Sequence, residues 1–160
     1  MVLKEYKKKR DFEWTPEPAG KRRKEKSKEP IFVVQRHDAR NLHYDFRLEV
    51  DGALISWAVP KGPPKTTKDR RLAVMTEDHP MEYAKFEGEI PEGHYGAGTV
   101  EIWDRGTYTN LKSWMMSSAV NKGQIEINLK GKKLKGNYAL VRTKLGGKDK
   151  NWLLIKMKKQ

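Results

Sequence analysis

His43, Asp45 and Arg47 follow one another at intervals of two, and the residues between and around them, Leu42, Tyr44, Phe46, Leu48 and Val50, are apolar. Alternation of this kind is the period of a β-strand, in which every second residue shares a face. One face of 42–50 is therefore apolar, and the other presents an imidazole, a carboxylate and a guanidinium in a row. His37 stands at the end of a β-branched and aromatic run that begins at Ile31, separated from His43 by the turn-forming stretch Asp38, Ala39, Arg40 and Asn41. A connection that short can fold His37 beside the other two. Two imidazole nitrogens and one carboxylate oxygen on a rigid sheet suit manganese, iron or zinc and leave positions open for water and substrate. Arg47 adds a fork of donors matched to the oxygens of a phosphate or a carboxylate. These residues describe an anion handled beside a metal. A polar strand face that merely meets water competes with this reading, and is weakened by Arg47 and by the chain's positive charge.

The elements that must position these groups are short strands. Asp51-Gly52 is a two-residue hairpin signal, and the strand-like run 53–59 follows it. A type I′ turn pairs Val50 with Ala53, and counting back pairs Arg47 with Ser56 and Asp45 with Ala58. On the opposite face Phe46 meets Trp57 and Leu48 meets Ile55, as a core requires. Pro60-Lys61-Gly62-Pro63-Pro64 makes a rigid loop, 71–76 a further strand, and 77–80 a loop. Strands are also expected at 99–103, 124–129, 137–143 and 152–157, with 111–120 helical. Repeated short strands with one or two short helices predict an all-β fold, an antiparallel β-barrel with a polar groove. The glycines between Gly93 and Gly98 form no Walker loop, since no Lys-Ser or Lys-Thr follows, and read as a structural turn. Trp103, Tyr108, Trp114 and Trp152 could stack on bases, but at strand positions core packing is the better expectation.

With 160 residues the chain accommodates one compact domain, and its net charge of +13 would draw in a polyanion, nucleic acid first of all. Cysteine is absent, which excludes disulfides and zinc–thiolate sites. No stretch has the length and apolarity of a membrane span or a secretion signal, so a cytoplasmic monomer without a membrane partner is expected. Residues 1–30 are rich in Lys, Arg, Glu and Pro, with Phe12 and Trp14 the only sizeable apolar residues after Tyr6. They read as a basic N-terminal arm ahead of a barrel domain over 31–160; a disordered solubilising tail is the alternative.

The run from Gln35 through Arg36-His37-Asp38-Ala39-Arg40-Asn41-Leu42-His43-Tyr44-Asp45-Phe46-Arg47 to Leu48 and Glu49 resembles the signature of the ligase D 3′-phosphoesterase family. The likeness continues in Ser56-Trp57-Ala58-Val59-Pro60-Lys61-Gly62, Glu77-Asp78-His79-Pro80, Ile90-Pro91-Glu92-Gly93, Trp103-Asp104-Arg105-Gly106 and Asn151-Trp152-Leu153-Leu154. Lys9-Arg10-Asp11-Phe12 and Thr15-Pro16-Glu17-Pro18 bring the arm into it. The resemblance implies a barrel holding Mn2+, or another divalent metal, on His37, His43 and Asp45. It implies that Arg47, Lys61, Arg71 and His79 contact the scissile phosphate, that Ser56 and Tyr83 support the site, and that Arg10, Asp11 and Glu17 of the arm are needed for activity. The implied activity removes a 3′-terminal ribonucleoside from a DNA or DNA/RNA primer-template, then the remaining 3′-phosphate, leaving a 3′-OH for a separate DNA ligase or polymerase. Two rivals remain open: a non-catalytic nucleic-acid-binding β-barrel, and an iron-dependent dioxygenase-like barrel built on the same two-histidine, one-carboxylate set.

Overall fold

A computed structural model describes residues 29–144 and 149–158. Its strands, in chain order, are β1 (Ile31–Asp38), β2 (Leu42–Val50), β3 (Ala53–Val59), β4 (Arg70–Met75), β5 (His79–Pro80), β6 (Gly88–Ile90), β7 (Gly98–Asn110), β8 (Gln124–Gly131), β9 (Lys135–Arg142) and β10 (Asn151–Lys156). A 3-10 turn spans Met81–Lys85, and a helix, α1, spans Met116–Lys122. The strands run β1-β2-β3-β4-β10-β9-β8-β7, and β7 pairs back onto β1, closing an antiparallel barrel of eight strands. The short strands β5 and β6 lie off this ring, paired to β3 and β7.

The β2–β3 hairpin has the register its turn dictates. Asp51 and Gly52 both take positive φ, 51° and 83°, as a type I′ turn demands. Val50 pairs with Ala53, Arg47 with Ser56, and Asp45 with Ala58, as expected. The later elements fall close to their expected positions, with three differences. His79 and Pro80, expected in the loop 77–80, form β5 by pairing with Leu54 and Ala53. Strand β7 runs on to Asn110 instead of stopping near Trp103, because Gly106 lets the backbone of β8 come so close that a Cβ there would collide with the Lys130 carbonyl. The helix begins at Met116 and not at 111. Asn110 holds 111–115 in a turn instead, its Oδ1 accepting from the Lys112 N–H (2.9 Å) and its Nδ2 donating to the Trp114 carbonyl (2.7 Å). The helix ends where Gly123 adopts the left-handed conformation.

Alternation divides the side chains into two apolar bodies. Phe32 and Val34 of β1, Phe46 and Leu48 of β2, Trp57 of β3, and Ile125, Ile127, Tyr138, Leu140 and Trp152 from the far strands fill the barrel interior, with Ala119 of α1 packed against them. Tyr108 and Trp152 are fully buried there, and Trp103 and Trp114 are packed against the same cluster, in keeping with a core role for these aromatics. On the opposite face of β1 and β3, Val33 and Leu54 pack under a cover made by Met81, Tyr83, Ala84 and Phe86, with Ile90 and Val100. That cover was not expected from the sequence, and it places much of the polar face of β2 inside the protein.

Candidate active site

Residues of odd number on β1 and β2 face this second body, and the pairing of the strands brings their polar members together. His37 is the cross-strand partner of His43, and Gln35 that of Asp45. The imidazoles of His37 and His43 lie with ring centroids 4.8 Å apart. His37 Nδ1 is 3.6 Å from Asp45 Oδ2, and His43 Nε2 is 3.4 Å from Asp45 Oδ1. One ligand atom from each of the three lies within 4.8 Å of the others, a spacing that a single cation can bridge. The remaining imidazole nitrogens are both tied to backbone. His37 Nε2 sits 2.7 Å from the Gly96 carbonyl, and His43 Nδ1 sits 2.9 Å from the Asn41 carbonyl. A carbonyl only accepts, so each contact keeps a proton on that nitrogen, and in the neutral ring the lone pair then lies on the nitrogen facing Asp45. This is the arrangement metal-binding histidines adopt, and it shows that the donor set fits a metal.

Arg47 is the hub of the buried part, its side chain only 3% exposed. Its Nε donates to Gln35 Oε1 at 2.6 Å, its Nη1 to Ser56 Oγ at 2.9 Å, and its Nη2 lies 3.4 Å from Asp45 Oδ2. The guanidinium also stands over the Tyr83 ring, 4.8 Å from its centroid. His79 Nδ1 lies 3.1 Å from Arg47 Nη1 and 3.0 Å from the Glu77 carbonyl. A lone pair on that nitrogen suits the arginine and a proton suits the carbonyl, and a buried, permanently charged guanidinium favours the lone pair. The His79 ring in turn meets Tyr83 edge to face at 4.8 Å. Seven of the residues singled out in the sequence, His37, His43, Asp45, Arg47, Ser56, His79 and Tyr83, thus form one connected group.

Lys61 and Arg71 meet each other instead. Arg71 Nη1 donates to the Lys61 carbonyl at 2.6 Å, and its Nη2 lies 3.6 Å from Asp69 Oδ2. Arg71 shares its strand face with Ala73, which packs in the barrel interior. Arg10, Asp11 and Glu17, with the rest of the arm before Glu29, lie outside the described residues. Sequence reasoning gave no role to Gln35. It is fully buried, donates through Nε2 to the carbonyls of Tyr83 (2.7 Å) and Phe86 (3.1 Å), and holds Arg47 with its Oε1. The available signal was a glutamine in phase with His37 at the end of an otherwise apolar run.

Burial alone would raise the Asp45 carboxyl, but the Arg47 guanidinium and the contacts from His37 and His43 outweigh it and hold the group far below the usual carboxylate range. Asp45 is therefore anionic at any working pH. Its contact raises His43 above the ordinary imidazole value, against partial burial that works the other way. A proton on His43 competes with a cation for Nε2. Apparent affinity for a divalent metal should consequently fall about tenfold per pH unit below that raised value. Equilibrium dialysis against manganese between about pH 8 and about pH 5.5 measures this, and a flat affinity would exclude His43 as a ligand. In the metal-free protein the sign reverses: the pair's contribution to stability is complete below about pH 6.5 and fades as pH rises through the raised value.

The molecule is thus a closed antiparallel barrel in which two histidines and a carboxylate converge, as a candidate cation site, beside a buried arginine. Residues 35–142 match the DNA ligase D 3′-phosphoesterase domain, and the chain belongs to that family. It is 53% identical over 157 residues to a multifunctional non-homologous end joining protein LigD of Pseudomonas aeruginosa, covering 98% of this chain and 18% of that protein. It is 48% identical over 162 residues to the protein of that name from Mycolicibacterium smegmatis (99% of this chain, 21% of that one). A multifunctional non-homologous end joining DNA repair protein LigD of Mycobacterium tuberculosis is 47% identical over 158 residues (99% and 20%). The chain spans about a fifth of the length of these relatives. Among the described residues no helix is long and apolar enough to cross a membrane.

Proposed function

We propose that this protein is a metal-dependent phosphoesterase that heals 3′ ends of nucleic acid, removing a 3′-terminal ribonucleoside and then the 3′-phosphate it leaves, to give a 3′-OH. The observation that carries the reading is the His37, His43 and Asp45 cluster with its lone pairs turned inward beside Arg47, in a chain of this family. In this proposal His37 Nδ1, His43 Nε2 and Asp45 hold manganese. A metal held there would supply positive charge to offset that of the phosphate.

The chain's own groups do the rest. Arg47, fixed on three sides by Gln35, Ser56 and Asp45, presents a preset positive charge that needs no reorganisation as charge grows on the phosphoryl oxygens. Tyr83 walls the guanidinium and His79 on one side and keeps water from them. His79, with Nδ1 engaged, donates a hydrogen bond through its other nitrogen to the leaving oxygen. Lys61 and Arg71 take the outer phosphate oxygens; Arg10, Asp11 and Glu17, on an arm over 1–30, are needed for the activity of the barrel domain over 31–160. A clean 3′-OH is what ligation requires, so the product passes to a DNA ligase or polymerase in end joining, the process for which the relatives are named.

The test is a 5′-labelled primer-template ending in one ribonucleotide, incubated with manganese or with a chelator and resolved at single-nucleotide resolution. Manganese should convert it first to a 3′-phosphate and then to a 3′-OH end, and the chelator should stop both steps. Tight binding of the substrate without processing in any divalent metal would sink the proposal in favour of a non-catalytic binding barrel.

A further inference from the structure

A second concavity lies further along the face that carries the metal cluster. It is a groove of about 560 Å³ whose walls include Ile31, Met81 and Ala84, with the exposed cations Lys85, Arg105 and Lys132 among its lining residues. Also in its lining, Glu82 buries a carboxylate oxygen, Oε1, that has no hydrogen-bond partner. An apolar site bordered by cations and containing an unsatisfied acceptor is incomplete as it stands. It calls for a ligand that supplies large apolar side chains, acidic groups and one donor.

The chain itself contains such a segment. Between two basic blocks, Lys7 to Arg10 and Lys21 to Lys24, residues 11–17 read Asp-Phe-Glu-Trp-Thr-Pro-Glu and carry three acids and no Lys or Arg. If 12–14 bind in an extended form, Phe12 and Trp14 point to one side together. Their rings match the apolar walls. Asp11, Glu13 and Glu17 match Lys85, Arg105 and Lys132, and the indole N–H of Trp14 is the kind of donor Glu82 Oε1 lacks.

The tether permits it. The described chain starts at the edge of the groove, where Glu29 is held by Thr109 Oγ1 (3.0 Å) and Lys130 Nζ (2.8 Å) and Ile31 pairs with Thr107. The twelve residues from Glu17 to Glu29 reach up to about 40 Å, ample to return over the groove. We infer that residues 11–17 dock in this groove, with Phe12 and Trp14 as anchors. Docking there does not depend on the chemistry at the metal cluster.

Because the chain has no cysteine, an E13C/K85C variant of the full chain can be oxidised without competing thiols. An intramolecular disulfide should form at least about tenfold faster than in E25C/K85C, although Glu25 is the closer residue in sequence, because docking raises the local concentration. Adding Phe12→Ala and Trp14→Ala should remove that advantage. In the cysteine-free protein the same two substitutions should shift the Met81 methyl resonance and leave that of Met115, 69% exposed, in place. Equal oxidation rates, or a Met81 resonance indifferent to Phe12→Ala and Trp14→Ala, would overturn the assignment. A Met81 shift produced only by added single-stranded oligonucleotide would give the groove to nucleic acid and overturn it equally.

Discussion

His43→Ala should reduce both hydrolytic steps by at least about 100-fold, more than is lost when only a group behind a metal ligand is removed, while the barrel unfolds as the parent does. His43 lies on the polar face of β2, in neither apolar body, and its side chain is 24% exposed, so truncation opens no cavity in the core. What disappears is Nε2, one of three converging donors, held toward Asp45 by the Asn41 carbonyl. Asp45 keeps Arg47 and His37 as partners and stays anionic. Single-turnover product formation, manganese affinity and thermal unfolding should be measured on the same preparation. Activity within about tenfold of the parent, with affinity unchanged, would remove His43 from the site.

Asp104→Ala should do the reverse, costing about 3 kcal/mol or more of stability and leaving activity per folded molecule intact. Asp104 is 4% exposed, and its carboxylate accepts three backbone N–H groups from the β8–β9 turn: Lys132 at 2.9 Å, Lys133 at 3.2 Å and Leu134 at 2.8 Å. Hydrogen bonds to a charged group each contribute about 1.5–3 kcal/mol, and amides left buried without a partner add to the loss. For a chain of this size that lowers the melting temperature by roughly 6–12 °C. Denaturant unfolding monitored at the tryptophans checks it. A loss under about 1 kcal/mol would mean the turn is held by its backbone ladder alone.

Asp104 also illustrates where the sequence was legible. It belongs to a run, Trp103 to Gly106, that carried the family resemblance, yet its contacts fasten a turn and touch no group of the site. The β2–β3 hairpin could be read to the residue because the Asp51-Gly52 turn fixes the register and strict alternation fixes the faces. The same alternation put His43, Asp45 and Arg47 together. The cover over that face could not be read: β5 and β6 pair through only two or three residues, too few to show a period. The orienting contacts of His37 and His43 were equally hidden, because a carbonyl such as that of Gly96 has no signature in residue type. Gln35 was visible only as a polar residue in the wrong company. The near approach of Arg71 to Lys61 depends on a loop whose path no local pattern specifies.

From Tyr44 to Val50 every second residue of β2 serves the barrel interior, and His43, Asp45 and Arg47 between them form the candidate cation site and its positive wall. A slip of one residue against β1 and β3 would exchange the two sets, burying His43, Asp45 and Arg47 among Phe32, Trp57 and Leu140 and turning Phe46 and Leu48 outward. Such a molecule would have no core and no cation site. With the metal held as proposed on His37, His43 and Asp45, stoichiometric metal uptake would gauge the quality of a preparation: the fraction of protein taking up one ion would be the fraction whose strands are in phase, counted without any substrate.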